Sequence, residues 1–234
     1  LIPLKDTIPS QRYPVVTVTL IAINVLVFFY ELSLGGAHLN QFVNRYGIVP
    51  ARYTLAKDAD LISLYLPFLT AMFLHGGWLH IIGNMLYLWI FGDNVEDRLG
   101  RGRFLIFYLL CGLVSGFAQV YISPTSRVPM IGASGAIAGV LGGYFLLYPH
   151  SRIVTLVPIF FFLQLVEIPA FFFLLFWFLL QFFYGSMAIA YTAQQAQGGV
   201  AWWAHVGGFI CGLLLVKVFA TKKERSYERI GMER

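Results

Sequence analysis

Residues 131–149 read IGASGAIAGVLGGYFLLYP, nineteen positions without a single charge. Gly135, Gly139 and Gly143 recur at every fourth place, which sets them on one face of a helix turning about 100° per residue. Small residues at that spacing let two helix backbones approach closely in lipid, where packing rather than hydrophobicity drives association. The stretch reads as one rod of a membrane bundle, and the surrounding chain agrees. Of 234 residues, 59% are hydrophobic and 12% charged, with a mean hydropathy of +0.74. Ordinary globular domains are about half apolar and about a quarter charged. So few charges could not cover so much apolar surface in water. A soluble enzyme, a disordered chain and a fibrous protein are excluded.

Working outward, five further stretches are apolar enough for spans of roughly 20 residues. They are 15–32, 78–91, 104–122, a long run 153–190, and 201–220; the central one extends over 134–149. The long run contains Pro158, Gln164, Glu167 and Pro169, so its start is expected to lie along the interface and its remainder to cross once. The loop 33–77 carries an amphipathic segment, 61–74, too short to cross and expected to sit half-sunk in the outer leaflet. The fold class is thus an all-α membrane protein, a six-helix bundle with a long interfacial first loop. Residues 1–14 form an N-terminal flank, 15–220 the membrane domain, and 221–234 a basic tail.

Charge sets the orientation. With six spans, Lys5, Arg12, Arg98, Arg101, Arg103, Arg152 and the six C-terminal basic residues from Lys217 onward share one side, twelve in all. Arg45, Arg52, Lys57 and Arg127 make four on the other. The excess marks the cytoplasmic side and puts both termini there. The net charge of +5 therefore speaks of topology, not nucleic acid. Cys111 and Cys211 lie in apolar runs and read as packing residues. The chain opens on Leu1, as in a trimmed or mature form, and no signal peptide is expected.

Strongly polar residues inside spans are costly, so each is a candidate functional group. His80 and Asn84 fall one turn apart on one helix face, about 40° from each other, with His75 ahead of a glycine pair. Ile131-Gly132-Ala133-Ser134-Gly135 places a hydroxyl where a helix begins and backbone N–H groups are free. Ala204-His205 is followed by Gly208 and Gly212, which permit close helix approach. Each cluster alone also fits a structural role: interhelical hydrogen bonding for the histidines and asparagine, a small-residue seam for the serine. Together they share a feature. Spans two, four and six all enter from the outer side, and each carries its polar group near its beginning. Sixteen residues from Ser134 to Pro149 cover about 24 Å of a core about 30 Å thick, so the hydroxyl starts below the surface, at a depth like that of His205. No acidic ligand or metal-binding helix motif lies nearby, so no metal and no cofactor are expected.

The sequence resembles the rhomboid family of intramembrane serine proteases. The resemblance rests on His75, His80 and Asn84 in an H-x4-H-x3-N pattern, on Gly132-Ala133-Ser134-Gly135, on Ala204-His205 with Gly208 and Gly212, and on Glu96-Asp97-Arg98-Leu99-Gly100. It implies a Ser134 nucleophile with His205 as general base; the sequence supports a dyad rather than a triad, since the one carboxylate read as lying well inside a span is Glu167, in the fifth stretch, which enters from the opposite side. It further implies oxyanion stabilisation by His80, Asn84 and the Ser134 N–H, and supporting roles for His75, Gly132 and Gly135. Family members often carry an aromatic residue four places after the nucleophile, stacked on the histidine. Here that place is Ala138, so Trp202 or Phe209 is expected to orient His205. The implied substrates are transmembrane proteins cut near the outer end of a span. A phenylalanine-rich face of the fifth span (Phe171, Phe172, Phe173, Phe176, Phe178), with little polar interlock, is the expected gate. The compact form suggests a bacterial inner membrane. The rivals are an inactive scaffold or chaperone of the same family, a small transporter, and a metal-dependent membrane enzyme.

Overall fold

The computed structural model describes residues 1–55, 60–159, 162–191 and 200–220. The tail 221–234, with five of the six C-terminal basic residues, and Lys57 lie outside the described residues. Strand β1 (Ile2–Asp6) precedes α1 (Val15–Ser33), and three short helices follow: α2 (Gly36–Tyr46), α3 (Pro50–Leu55) and α4 (Leu61–Thr70). Then come α5 (Trp78–Leu99), α6 (Arg101–Ile122) and α7 (Ser134–Leu147), strands β2 (Arg152–Ile159) and β3 (Phe162–Pro169), and helices α8 (Ala170–Tyr191) and α9 (Trp202–Phe219). Helices α1, α6, α8 and α9 are each long and apolar enough to cross a bilayer. Leu61–Phe73, which is α4 with the short turn after it, and α5 pass that test only as a pair, bent by 78° at the break. Helix α7, at 14 residues, is apolar but short.

Helix α7 is the axis of the molecule. Every residue from Gly135 to Tyr144 is buried, so the shortest rod is screened from lipid by its longer neighbours. Its seam is built from missing side chains. A Cβ at Gly208 or Gly212 would overlap the carbonyl of Gly135 or Gly139, and one at Gly139 would overlap Cys111. Gly143 faces Phe107 and Val216, each within 3.4 Å of such a Cβ. The glycines quoted from the sequence thus face α6 and α9, and they hold the α7 and α9 backbones in contact.

The Glu96-Asp97 pair ties the far end. Glu96, at the end of α5, is buried and accepts hydrogen bonds from the Val16 N–H (3.0 Å), the Thr17 N–H (2.8 Å) and the Thr17 hydroxyl (2.9 Å). It satisfies donors that the first turn of α1 leaves without intrahelical acceptors, and its charge suits that end of the helix dipole. Asp97 accepts from the backbone N–H groups of Gln11 and Arg12.

The all-α expectation is corrected here. Residues 152–169 fold into a hairpin, and with the N-terminal strand they make a three-stranded antiparallel sheet of order β1-β2-β3. The run Ile153-Val154-Thr155-Leu156-Val157 is rich in β-branched residues, with Ile153 and Thr155 fully buried. Pro158 and Pro169 would each interrupt a helix. Averaged hydropathy cannot tell such a strand pair from a span.

In the first loop, Asp60 caps α4 through the Ile62 and Ser63 N–H groups (2.9 and 3.2 Å). Its carboxyl is held below the ordinary range, first by the Ser63 hydroxyl and then by those amides. Phe68 of α4 stacks on Phe117 of α6 at 4.2 Å between centroids, while Leu61, Ile62, Tyr65 and Leu69 are exposed.

Candidate active site

The N-terminal ends of α5, α7 and α9 converge on one cavity of about 720 Å³, lined among others by His80, Asn84, Gly132, Ser134, Gln181 and His205. Ser134 is the first residue of α7 and His205 the fourth of α9. Their side chains meet: Ser134 Oγ lies 2.8 Å from His205 Nε2. The glycine seam produces this approach, because only two backbones in contact can bring a short hydroxyl to an imidazole one helix away. The first intrahelical donor of α7 is Ile137 N–H, bonded to Ala133 O at 3.0 Å. The N–H groups of Ser134, Gly135 and Ala136 therefore have no acceptor within the helix.

Gly132 carries the turn into α7. Its φ of +121° is a left-handed conformation, and a Cβ there would stand 2.6 Å from His80 Nε2. The bare backbone lets His80 reach over the serine turn. His80 Nδ1 in turn accepts from Gly76 N–H at 3.3 Å. Asn84 lies one turn along α5 and its Nδ2 is 2.9 Å from His75 Nε2, so that nitrogen accepts and Asn84 donates. His75 is buried, and its backbone N–H donates to the Glu31 carboxylate (3.0 and 3.3 Å). The three residues of the H-x4-H-x3-N pattern therefore form one chain of contacts from α1 to the cavity.

Two expectations change. Glu167 is not inside a span: it sits exposed on β3, 3.4 Å from Arg152. Glu31, in the last turn of α1 and 2% exposed, is a buried carboxylate at this end of the bundle, and it serves His75 rather than His205. Phe209 does not make a ring contact with His205 but stacks near Phe178 (4.8 Å) and Trp177 (6.1 Å). The imidazole is flanked by Trp177 at 6.0 Å and edge-on by Trp202 at 6.3 Å. His205 Nδ1 lies 2.8 Å from Gln181 Oε1, a partner on α8 that the sequence reading passed over. A lone amide in a phenylalanine-rich span was the available signal.

The supposed gate face is also revised. Phe173 is buried and Phe178 packs on Phe209, whereas Phe172 and Phe176 are exposed, so the five rings do not form one face. Polar ties between α8 and α9 exist as well: besides Gln181, Trp203 Nε1 donates to the Gly185 carbonyl at 3.1 Å.

A family model described as Rhomboid domain matches residues 63–222. The chain is 37% identical to Rhomboid protease GluP of Bacillus subtilis (strain 168) over 131 residues, 55% of this chain and 24% of that protein. It is 29% identical to Rhomboid protein 1, mitochondrial, of Saccharomyces cerevisiae over 143 residues, 59% of this chain and 38% of that one. Identity to the human Presenilin-associated rhomboid-like protein, mitochondrial, is 30% over 174 residues, 70% of this chain and 40% of the relative. The matched region spans between about a quarter and two fifths of these curated relatives.

Proposed function

The chain belongs to the rhomboid family, and from that membership we propose that it is an intramembrane serine endopeptidase working through Ser134 and His205. The observation that carries the reading is the 2.8 Å contact between Ser134 Oγ and His205 Nε2. A serine hydroxyl is a poor nucleophile until a neighbouring base takes its proton. In the proposed reaction Oγ attacks the scissile carbonyl carbon as its proton passes to Nε2. The oxyanion that forms accepts hydrogen bonds from the Ser134 N–H and from the His80 and Asn84 side chains. The imidazolium then returns the proton to the departing amine, and water with the same base hydrolyses the serine ester.

The six spans, both termini in the cytoplasm and the cavity opening outward belong to the same proposal. Its support is the grouping of charge: Lys5, Arg12, Arg98, Arg101, Arg103 and Arg152 belong to elements at the Glu96 and β-sheet end of the bundle, away from the Ser134 turn. The exposed apolar side of α4 suits the outer interface. The proposed substrates are transmembrane proteins, unwound locally because a helical backbone already has its polar groups paired. The bacterial inner membrane is the proposed location, in keeping with the higher identity to the Bacillus relative than to the mitochondrial ones.

The test is labelling with a serine-reactive phosphonate in bilayers, paired with cleavage of a reporter transmembrane peptide. Label at Ser134 is expected, absent in Ser134→Ala and strongly reduced in His205→Ala, with cleavage lost in both. A folded parent chain that neither labels nor cleaves would instead fit the inactive scaffold.

A further inference from the structure

The imidazole of His205 can act as a base at Nε2 only if its one proton sits on Nδ1. Which nitrogen holds that proton depends on what Nδ1 meets. It meets Gln181 Oε1 at 2.8 Å, in a site where His205 is 8% and Gln181 7% exposed. The amide could face either way, and its other atom decides: Gln181 Nε2 donates to the Trp177 carbonyl one turn back on α8, at 3.3 Å. With the amide nitrogen so engaged, the oxygen faces the ring, and Nδ1 must be the donor. Ser134 Oγ–H then donates to the bare Nε2 at 2.8 Å.

We infer that Gln181 is a positioning residue that fixes the Nδ1–H tautomer of His205, taking the place that an aromatic at Ala138 would have filled; the inference rests on the protease reading above. Trp177, on the same face of α8 one turn away, flanks the ring and limits its rotation. The division of labour has a consequence. The distance between nucleophile and base is set by α7 against α9, whereas the tautomer is set by α8. The base is armed only while α8 is seated against α9, so an excursion of α8 that admitted a substrate would disarm the site until the helix returned.

Two measurements test this. In the full chain labelled with 15N-histidine, the His205 resonances, identified by their loss in His205→Ala, are expected to report a protonated Nδ1 and a bare Nε2. In Gln181→Leu, which keeps the bulk and removes the acceptor, they should move toward a mixture of tautomers. In reporter cleavage, Gln181→Leu is expected to lower kcat about 10-fold with little change in KM, and Gln181→Glu, which keeps an acceptor at the same reach, to recover most of the loss. A bare Nδ1 in the parent chain, or nitrogen shifts and kcat indifferent to Gln181→Leu, overturns the inference while leaving the dyad standing. A parent chain without cleavage removes the protease reading, and the nitrogen spectra still decide the role of Gln181.

Discussion

At the scale of single residues, the site is a set of short contacts whose partners were unevenly visible in the sequence. Ser134, His205, His80 and Asn84 stood out because polar groups are rare in spans and these fall near the starts of three rods. Glu31 and Gln181 did not, although each is polar and buried. Glu31 sits at the end of its span, where a charge reads as a flank, and Gln181 pairs across chain-distant helices, which no local spacing reveals. Gly132 offers a direct check. With its φ of +121° and a Cβ meeting His80 at 2.6 Å, Gly132→Ala is expected to displace that ring and cut cleavage severely, with a smaller loss of thermal stability. Asn84→Ala, which removes a proposed oxyanion donor, should lower kcat by about 10²-fold or more while the melting temperature in detergent changes little. Unaltered turnover in Asn84→Ala would take that side chain out of the mechanism.

At the scale of elements, α7 and α9 were legible from the fourth-residue spacing of glycine, and α1 and α6 from unbroken apolar length. The hairpin was not, because window averages respond to composition and ignore whether the period is two or 3.6. The α7–α9 seam is where an added methyl group should be felt most. In Gly212→Ala the new Cβ would overlap the Gly139 carbonyl, and a backbone cannot swing aside as a side chain can. Overpacking of this kind costs about 1–3 kcal/mol, and here it would also part Ser134 from His205. Lower thermal stability and lower turnover are expected together. Gly102→Ala, in the first turn of α6 with nothing within 4 Å of the new Cβ, is the control and should leave both unchanged or slightly raise stability.

At the scale of the whole molecule, two ends are fastened by different chemistry. The cavity end is closed by glycine contact and by the contacts from Glu31 to Asn84, the opposite end by Glu96, Asp97 and the sheet. Glu96→Ala would leave the first N–H groups of α1 unpartnered at a buried site, and a loss of about 2–4 kcal/mol is expected, read as an earlier midpoint in thermal or denaturant unfolding. Because the Ser134 turn lies at the far end, residual activity per folded molecule should survive that change. An expected orientation could be drawn from arginine and lysine alone, since it depends only on counting charges between spans. The walls of the Ser134 cavity could not, since they come from segments far apart in the chain.

The central rod is about 21 Å long by its helical rise, shorter than a hydrocarbon core about 30 Å deep, and longer helices bury it. The cavity lined by Ser134 lies at the N-terminal end of this short rod. On the proposed protease reading, a chemical centre fixed in that cavity would measure its targets as a depth gauge does. The bond it met would then be chosen by altitude along the incoming segment as much as by the side chains beside it, so sliding the same cleavable pair one helical turn up or down a reporter should be enough to spare it.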